Sequence, residues 1–182
     1  MKMILASSSP RRKRLLKMVV KRFSVKSADV AETIRAGESF SSAAKRLAEK
    51  KARAVANHSK GAVIIGADTI AYSGKTIFRK TNDVKAAEKI LRGISGKTHY
   101  VVTGVCVVFP DGKIVKYAVK AAVKLKKLEG KLLDGYLKSG EWKGRAGCYD
   151  VSGKGAKLVA SVRGEKETVV GLPLKKLELI FD

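Results

Sequence analysis

Leu5-Ala6-Ser7-Ser8-Ser9-Pro10-Arg11-Arg12 carries the chain from an apolar run through three hydroxyls and a proline into two adjacent guanidiniums. Met3 to Ala6 reads as a short buried strand and the serines as a cap. Pro10 suits the first turn of a helix, where its missing N–H costs nothing. A strand delivered straight onto a helix start opens an α/β unit, and the same geometry makes an anion site. Backbone N–H groups and the positive end of the helix dipole meet there, Ser7 and Ser9 can donate, and Arg11 and Arg12 can grip oxygens in pairs. An ordinary capped, basic helix start shows the same pattern, so this stretch alone leaves both readings open.

Outward from it, Leu15, Leu16, Val19 and Val20 make the apolar side of a helix over Arg11 to Val20, and Phe23 to Ala28 alternates as a strand. Gly37 to Asn57 returns to helix, with a face of Ala43, Ala44, Leu47, Ala48, Ala52 and Val55 whose small residues predict close packing on a sheet. Ala62 to Ile65 is a buried strand, ended by Gly66-Ala67-Asp68-Thr69. Ile70 to Tyr72 and Thr76 to Phe78 then form a hairpin. Asp83 caps a helix running to Ile94. Two long strands, His99 to Phe109 and Lys113 to Leu125, flank a Pro110-Asp111-Gly112 turn. A short helix follows over Leu132 to Leu137, then strands over Lys157 to Val162 and Glu167 to Val170, and a last helix over Pro173 to Leu179. The pattern predicts an α/β fold with a mixed central sheet and flanking helices, in one domain over residues 1–182.

The 182 residues carry 39 Lys and Arg against 16 Asp and Glu, a formal net charge of +23. Such a charge attracts polyanions without sequence preference, which makes nucleic acid, anionic lipid and nucleotides all physically suitable partners. The lysines are spread over every segment, and the aromatics, 6% of the chain, are dispersed, so the charge reads as a property of the whole surface. Cys106 lies in an apolar run and reads as core, and Cys148 follows Ala146 and Gly147. No metal-ligand spacing links them. Two isolated cysteines and no signal-like start give the expectation of a reducing cytoplasm, and no apolar run is long enough to span a bilayer.

Asp68 stands at the end of a very apolar strand after Gly66-Ala67, where open α/β sheets place their ligands. A carboxylate capping the next turn would look the same. Asp29, Glu32 and Asp68 are candidates for a divalent-metal site beside phosphate-binding cations, each with a solvated surface acid as its plain alternative. Against this basic background neither Lys51 nor Lys80 stands out by itself. His58 and His99 have no partner at metal spacing and read as surface or core-edge residues.

Five blocks in order then resemble the Maf family: Leu5 to Arg12; Gly66-Ala67-Asp68-Thr69; Ser95-Gly96-Lys97-Thr98-His99 with Val102-Thr103-Gly104-Val105; Ala146-Gly147-Cys148-Tyr149; and Val170-Gly171-Leu172-Pro173-Leu174. The resemblance spans nearly the whole chain. It implies a two-lobed fold similar to the inosine triphosphate pyrophosphatases, with the site in a cleft. It also implies a homodimer that uses Mg²⁺ or Mn²⁺ to hydrolyse a pyrimidine or modified nucleoside triphosphate to a monophosphate and pyrophosphate. Under it Asp68 is the general base and a metal-linked carboxylate, and Glu32 a second acidic member. Ser7, Arg11, Arg12, Lys51 and Lys80 hold the triphosphate, and Arg11 and Thr69 tune nucleotide choice. Arg145 stands where the family's pyrimidine branch usually has Lys, and Ser152 where it has Gln, so both enter the specificity set. Arg79-Lys80-Thr81 replaces a common Gly-Lys-Pro, Lys50 replaces a common glutamate, and Ala122 lies near a common acid. These lost acids and the net charge define an alternative: a Maf scaffold of weakened catalysis, natural or engineered, that binds nucleic acid or a negatively charged protein partner.

Overall fold

Ile4 and Leu5 are fully buried in the first strand, β1 (Lys2–Leu5). The computed structural model describes residues 2–27 and 29–181. Ser9 Oγ accepts the Arg12 backbone N–H, Pro10 opens the first turn, and α1 (Pro10–Val19) buries Leu15 and Leu16. The strand expected over Phe23 to Ala28 is only two residues, β2 (Ser24–Val25), paired parallel with β1; Ala28 lies outside the described residues. Helix α2 (Phe40–Ala56) starts three residues later than expected. Gly37 sits at φ +74, and the Ser39 side chain accepts the Ser42 N–H, so the cap falls at Ser39.

The strand at Ala62 does not end at Gly66-Ala67-Asp68-Thr69. It runs on as β3 (Ala62–Ser73), and Asp68 lies in its middle. The glycine marks close approach of another backbone here, and no turn. A Cβ on Gly66 would stand 2.3 Å from the Ala48 carbonyl oxygen and 2.9 Å from the Ala52 Cβ. Strand β4 (Thr76–Ile77) returns against β3 with Tyr72 opposite Ile77, as the hairpin reading predicts. Helix α3 (Val84–Ile94) is capped by Asp83, whose Oδ1 accepts the Ala86 N–H at 2.7 Å. The long strands are β5 (Thr98–Val108) and β6 (Ile114–Leu125). Helix α4 (Gly130–Lys138) follows, then 3-10 turns at Ala146–Cys148 and Lys154–Leu158, and β7 (Val159–Arg163). The strand expected over Glu167 to Val170 is instead a helical turn, α5 (Lys166–Val170), with Thr168 N–H on the Glu165 carbonyl. Gly164 at φ +104 and Gly171 at φ +122 turn the chain at either side of it, and the β propensity of its valines is overridden. Helix α6 (Lys175–Phe181) ends the described chain.

Seven strands form one mixed sheet in the order β2-β1-β3-β5-β6-β7, with β4 on β3. β1 is parallel to β2 and β3, while β3–β4 and β6–β7 are antiparallel. The chain divides into two compact units, and β3, β5 and β6 contribute to both. The first unit (Met1–Thr69, Val102–Val119, Gly171–Asp182) has a core of Ile4, Ala6, Ala48, Ala52, Val55, Ile64 and Cys106. Cys106 is core as expected, and burial pushes its thiol up to about 11.

The second unit (Ile70–Val101, Lys120–Val170) buries Leu91, Ile94, Leu133, Trp142 and Tyr149. It also encloses His99, which the sequence reading places at a surface or core edge. The imidazole is fully buried, with Nε2 2.7 Å from the Tyr149 hydroxyl and the ring edge-on to Phe78 and Tyr149. Burial lowers its pKa to about 4. The unfolded chain takes up a proton at His99 near pH 6.5 and the folded chain only near 4. The stability held by neutral His99 is therefore fully present above pH 6.5 and drains away as pH falls to 4. Urea melts at pH 7.5 and pH 5 should differ, with His99 responsible for up to roughly 2 kcal/mol of the loss, and His99→Gln should flatten that dependence. Equal slopes for the two proteins would contradict it.

Candidate active site in the first unit

The small face of α2 is what brings a lysine to a strand carboxylate. Ala48 and Ala52 pack on Gly66 of β3, and Ala44 packs on Gly104 of β5, where a Cβ would lie 2.2 Å from the Ala44 carbonyl carbon. With the helix that close, Lys51 is buried, and Asp68 stands two residues beyond Gly66 on the same side of its strand. Lys51 Nζ donates to Asp68 Oδ1 and to Glu32 Oε1, each at 2.5 Å. One ammonium thus gathers two carboxylates, Asp68 almost fully buried and Glu32 half exposed.

Glu32 comes from the irregular segment before α2, and α2 holds that segment down. Lys50 Nζ donates to the Ala31 carbonyl at 3.3 Å, and Arg46 donates to the Thr33 carbonyl at 2.9 Å and to both oxygens of Glu38. The Arg46 hydrogen bond keeps the Glu38 carboxyl down at about 2. Lys50 thus helps fix the backbone next to Glu32. Asp29 does not join the cluster. It is exposed, and among the described residues no three His, Cys, Asp or Glu side chains gather as a metal site.

Arg12 supplies the positive side. Its Nε donates to the Gly171 carbonyl at 2.9 Å, Nη1 to Ser7 Oγ at 3.2 Å and Nη2 to Thr69 Oγ1 at 3.0 Å. Thr69 Oγ1 continues to Thr103 Oγ1 at 2.9 Å. Burial lowers the Arg12 pKa, and the charges of Asp68 and Glu32 oppose that shift. A buried guanidinium tied to neutral oxygens keeps most of its charge available to an anion. Arg11 beside it is half-buried. Gly171 is required by this arrangement: at φ +122, a Cβ on it would sit 3.3 Å from both Arg12 Nε and Thr69 Oγ1. Lysine has no planar fork to serve Gly171, Ser7 and Thr69 together. Arg12→Lys should weaken triphosphate binding about tenfold or more, read as a rise in KM or in a nucleotide titration. Unchanged affinity would remove Arg12 from the anion site.

Lys80, Arg145 and Ser152 belong to the second unit. Lys80 is exposed. Arg145 and Ser152 converge on buried Asp150, whose Oδ1 accepts the Ser152 N–H at 2.9 Å and hydroxyl at 2.7 Å while Oδ2 lies 3.5 Å from Arg145 Nε. Sequence reasoning missed Asp150 as their common partner, and it missed Thr103, Gly171 and Lys50. Thr103 and Gly171 stand inside the quoted blocks, but nothing local says that a threonine or a backbone carbonyl faces Arg12.

The residues fit a divalent cation. Asp68 and Glu32 are hard oxygen donors drawn together by one ammonium, and Mg²⁺ typically takes one or two carboxylates and completes its shell with water and phosphate oxygens.

The fold defines the class first. It is that of the HAM1-type α/β proteins: the structure of a HAM1 protein from Coxiella burnetii superposes with a TM-score of 0.51 over 100% of this chain and 98% of that one, at 15% identity. Residues 2–181 match the family described as "Maf-like protein". A dTTP/UTP pyrophosphatase of Aquifex aeolicus is 41% identical over 181 residues, covering 100% of this chain and 94% of that protein. A nucleoside triphosphate pyrophosphatase of Anaplasma phagocytophilum is 40% identical over 173 residues, covering 94% and 90%. The chain belongs to the Maf family.

Proposed function

We propose that this protein is a nucleoside triphosphate pyrophosphatase that cleaves pyrimidine nucleoside triphosphates between the α and β phosphates. The observation that carries the reading is the junction of Asp68, Glu32 and Lys51 beside the buried Arg12 guanidinium. Carboxylates and cations adjoin there, as hydrolysis of a polyanion by water requires. The named relatives support the substrate class.

Arg12, oriented by Ser7, Thr69 and Gly171, binds phosphate oxygens, with Arg11 and the N–H groups at the start of α1 beside it. Asp68 accepts the proton of the attacking water as its oxygen bonds to the α phosphorus and the α–β bridging P–O bond breaks, releasing pyrophosphate. Lys51, which donates to Asp68 Oδ1, holds that carboxylate in place. A divalent cation, Mg²⁺ or Mn²⁺, held by Asp68 and Glu32 would neutralise charge on the phosphates. Lys80 as a further phosphate ligand, and Arg145, Ser152 and Thr69 as selectors of the base, are carried over from the family resemblance. So is a homodimer, while a cytoplasmic location rests on the two isolated cysteines. Among the described residues no helix is long and apolar enough to cross a membrane.

The test is pyrophosphate release from a panel of purine and pyrimidine triphosphates with Mg²⁺ or Mn²⁺. Faster release from dTTP and UTP is expected. Release of orthophosphate alone, or folded protein inert across the panel, would overturn the reading.

A further inference from the structure

The strand segments of the second unit carry no acid. Residues 70–73, 76–77, 98–101, 120–125 and 159–163 contain neither Asp nor Glu, although eight acids lie elsewhere in that unit, at 83, 88, 129, 134, 141, 150, 165 and 167. One side of these strands is packed inward through Ala71, His99, Val101, Ala121 and Val123. The other side is open. There Tyr72 of β3 and Tyr100 of β5 meet with ring centroids 5.8 Å apart at 31°, and Lys120 Nζ lies 5.0 Å over the Tyr100 ring. Lys120, Ala122 and Lys124 alternate along this face of β6, and β7 places Arg163 opposite Ala122 and Ser161 opposite Lys124. Lys120, Lys124, Ser161 and Arg163 are exposed, as is Tyr100 at 37%. Lys124 and Arg163 form no ion pair among the described residues. Aromatics that are 28 positions apart in sequence are therefore adjacent, with three cations on the neighbouring strands β6 and β7.

We propose that this sheet face binds single-stranded nucleic acid, with bases stacking on Tyr100 and Tyr72 and the backbone phosphates lying against Lys120, Lys124 and Arg163. Neighbouring strands about 4.8 Å apart make a platform roughly 14 Å wide over β3, β5, β6 and β7, the scale on which four-stranded RNA-binding sheets stack two or three bases. Charge complementarity selects the partner. An anionic protein or a base-free polyanion uses the three cations alone, whereas a single strand uses cations and rings together. A duplex keeps its base faces stacked inside and gains no more than a polyanion does. This surface is argued independently of the pyrophosphatase reading.

Fluorescence anisotropy with the full chain, a labelled 12-nucleotide oligodeoxythymidylate, EDTA and no nucleotide tests it. The single strand should bind at least tenfold more tightly than a labelled 12-base-pair duplex, and inorganic polyphosphate should compete only as well as the duplex does. Tyr100→Ala should weaken single-strand binding about tenfold and leave duplex binding unchanged, while Tyr100→Phe retains it. The Lys120→Gln, Lys124→Gln, Arg163→Gln triple variant, which keeps the rings, should reduce the slope of log affinity against log salt by about 2. Equal affinity for strand, duplex and polyphosphate, or a triple variant with an unchanged slope, would overturn the proposal. So would a folded Tyr100→Ala protein that binds the strand as the parent does.

Discussion

Asp68→Asn is expected to lower kcat for pyrophosphate release by about 10²–10⁴-fold, the usual worth of a positioned general base. Asparagine keeps the shape and leaves an acceptor for Lys51, but it takes no proton from water and binds a divalent cation poorly. Lys51 retains Glu32 as a partner, so the buried ammonium is not stranded, and the variant should fold with a melting temperature only a few degrees below the parent. Steady-state kinetics of both proteins, with thermal melts beside them, check this. A rate within threefold of the parent would remove Asp68 from the chemistry. The pairing with Lys51 adds a second expectation: Lys51→Met should remove activity and cost more stability than Asp68→Asn, because it leaves two carboxylates close together without their cation.

Gly104→Ala should be the most destabilising single change outside the site. The added methyl would stand 2.2 to 2.5 Å from the Ala44 carbonyl group and the Lys45 nitrogen, all backbone atoms that no rotamer change can move. Ordinary overpacking costs about 1–3 kcal/mol. Here either α2 lifts from β5 or the strand shifts, so a loss of roughly 4 kcal/mol or more is expected, a fall in melting temperature of about 10 °C or more for a chain of this size. Because α2 also carries Lys51, the surviving protein should lose activity as well. Gly93→Ala is the control. Gly93 lies inside α3 with nothing within 4 Å of the place an added methyl would take, so alanine there should raise stability by up to about 1 kcal/mol. Similar melts for the two variants would mean that the close contact of α2 with the sheet is not what holds the site.

The fold was legible where periodicity and local chemistry agree. The Ser9-Pro10 start of α1, the Asp83 cap of α3 and the hairpin partners of β3 and of β5 with β6 all stand as read. It was illegible where a residue answers to a distant neighbour. Gly66 reads as a strand end until α2 is known to lie on it, and Val169-Val170 read as strand although the chain closes there into a helical turn between two positive-φ glycines. His99 looks peripheral because the rings that enclose it, Phe78 and Tyr149, are far along the chain. The site divides in the same way. Arg12, Ser7, Thr69 and Asp68 stand in the quoted blocks, Glu32 and Lys51 came with the family resemblance, and the structure joins the six into two clusters. Their supporting contacts were not nameable, since the Gly171 carbonyl, the Thr103 hydroxyl and the Lys50 bond to Ala31 depend on which segments fold side by side.

The most direct test of the central claim is hydrolysis of dTTP or UTP in H₂¹⁸O, with mass spectrometry of both products. Attack of an Asp68-activated water on the α phosphorus puts one ¹⁸O in the nucleoside monophosphate and none in the pyrophosphate. Label in pyrophosphate with unlabelled monophosphate would mean attack at the β phosphorus. Label in orthophosphate would mean stepwise removal of the terminal phosphate. Either result would contradict the account.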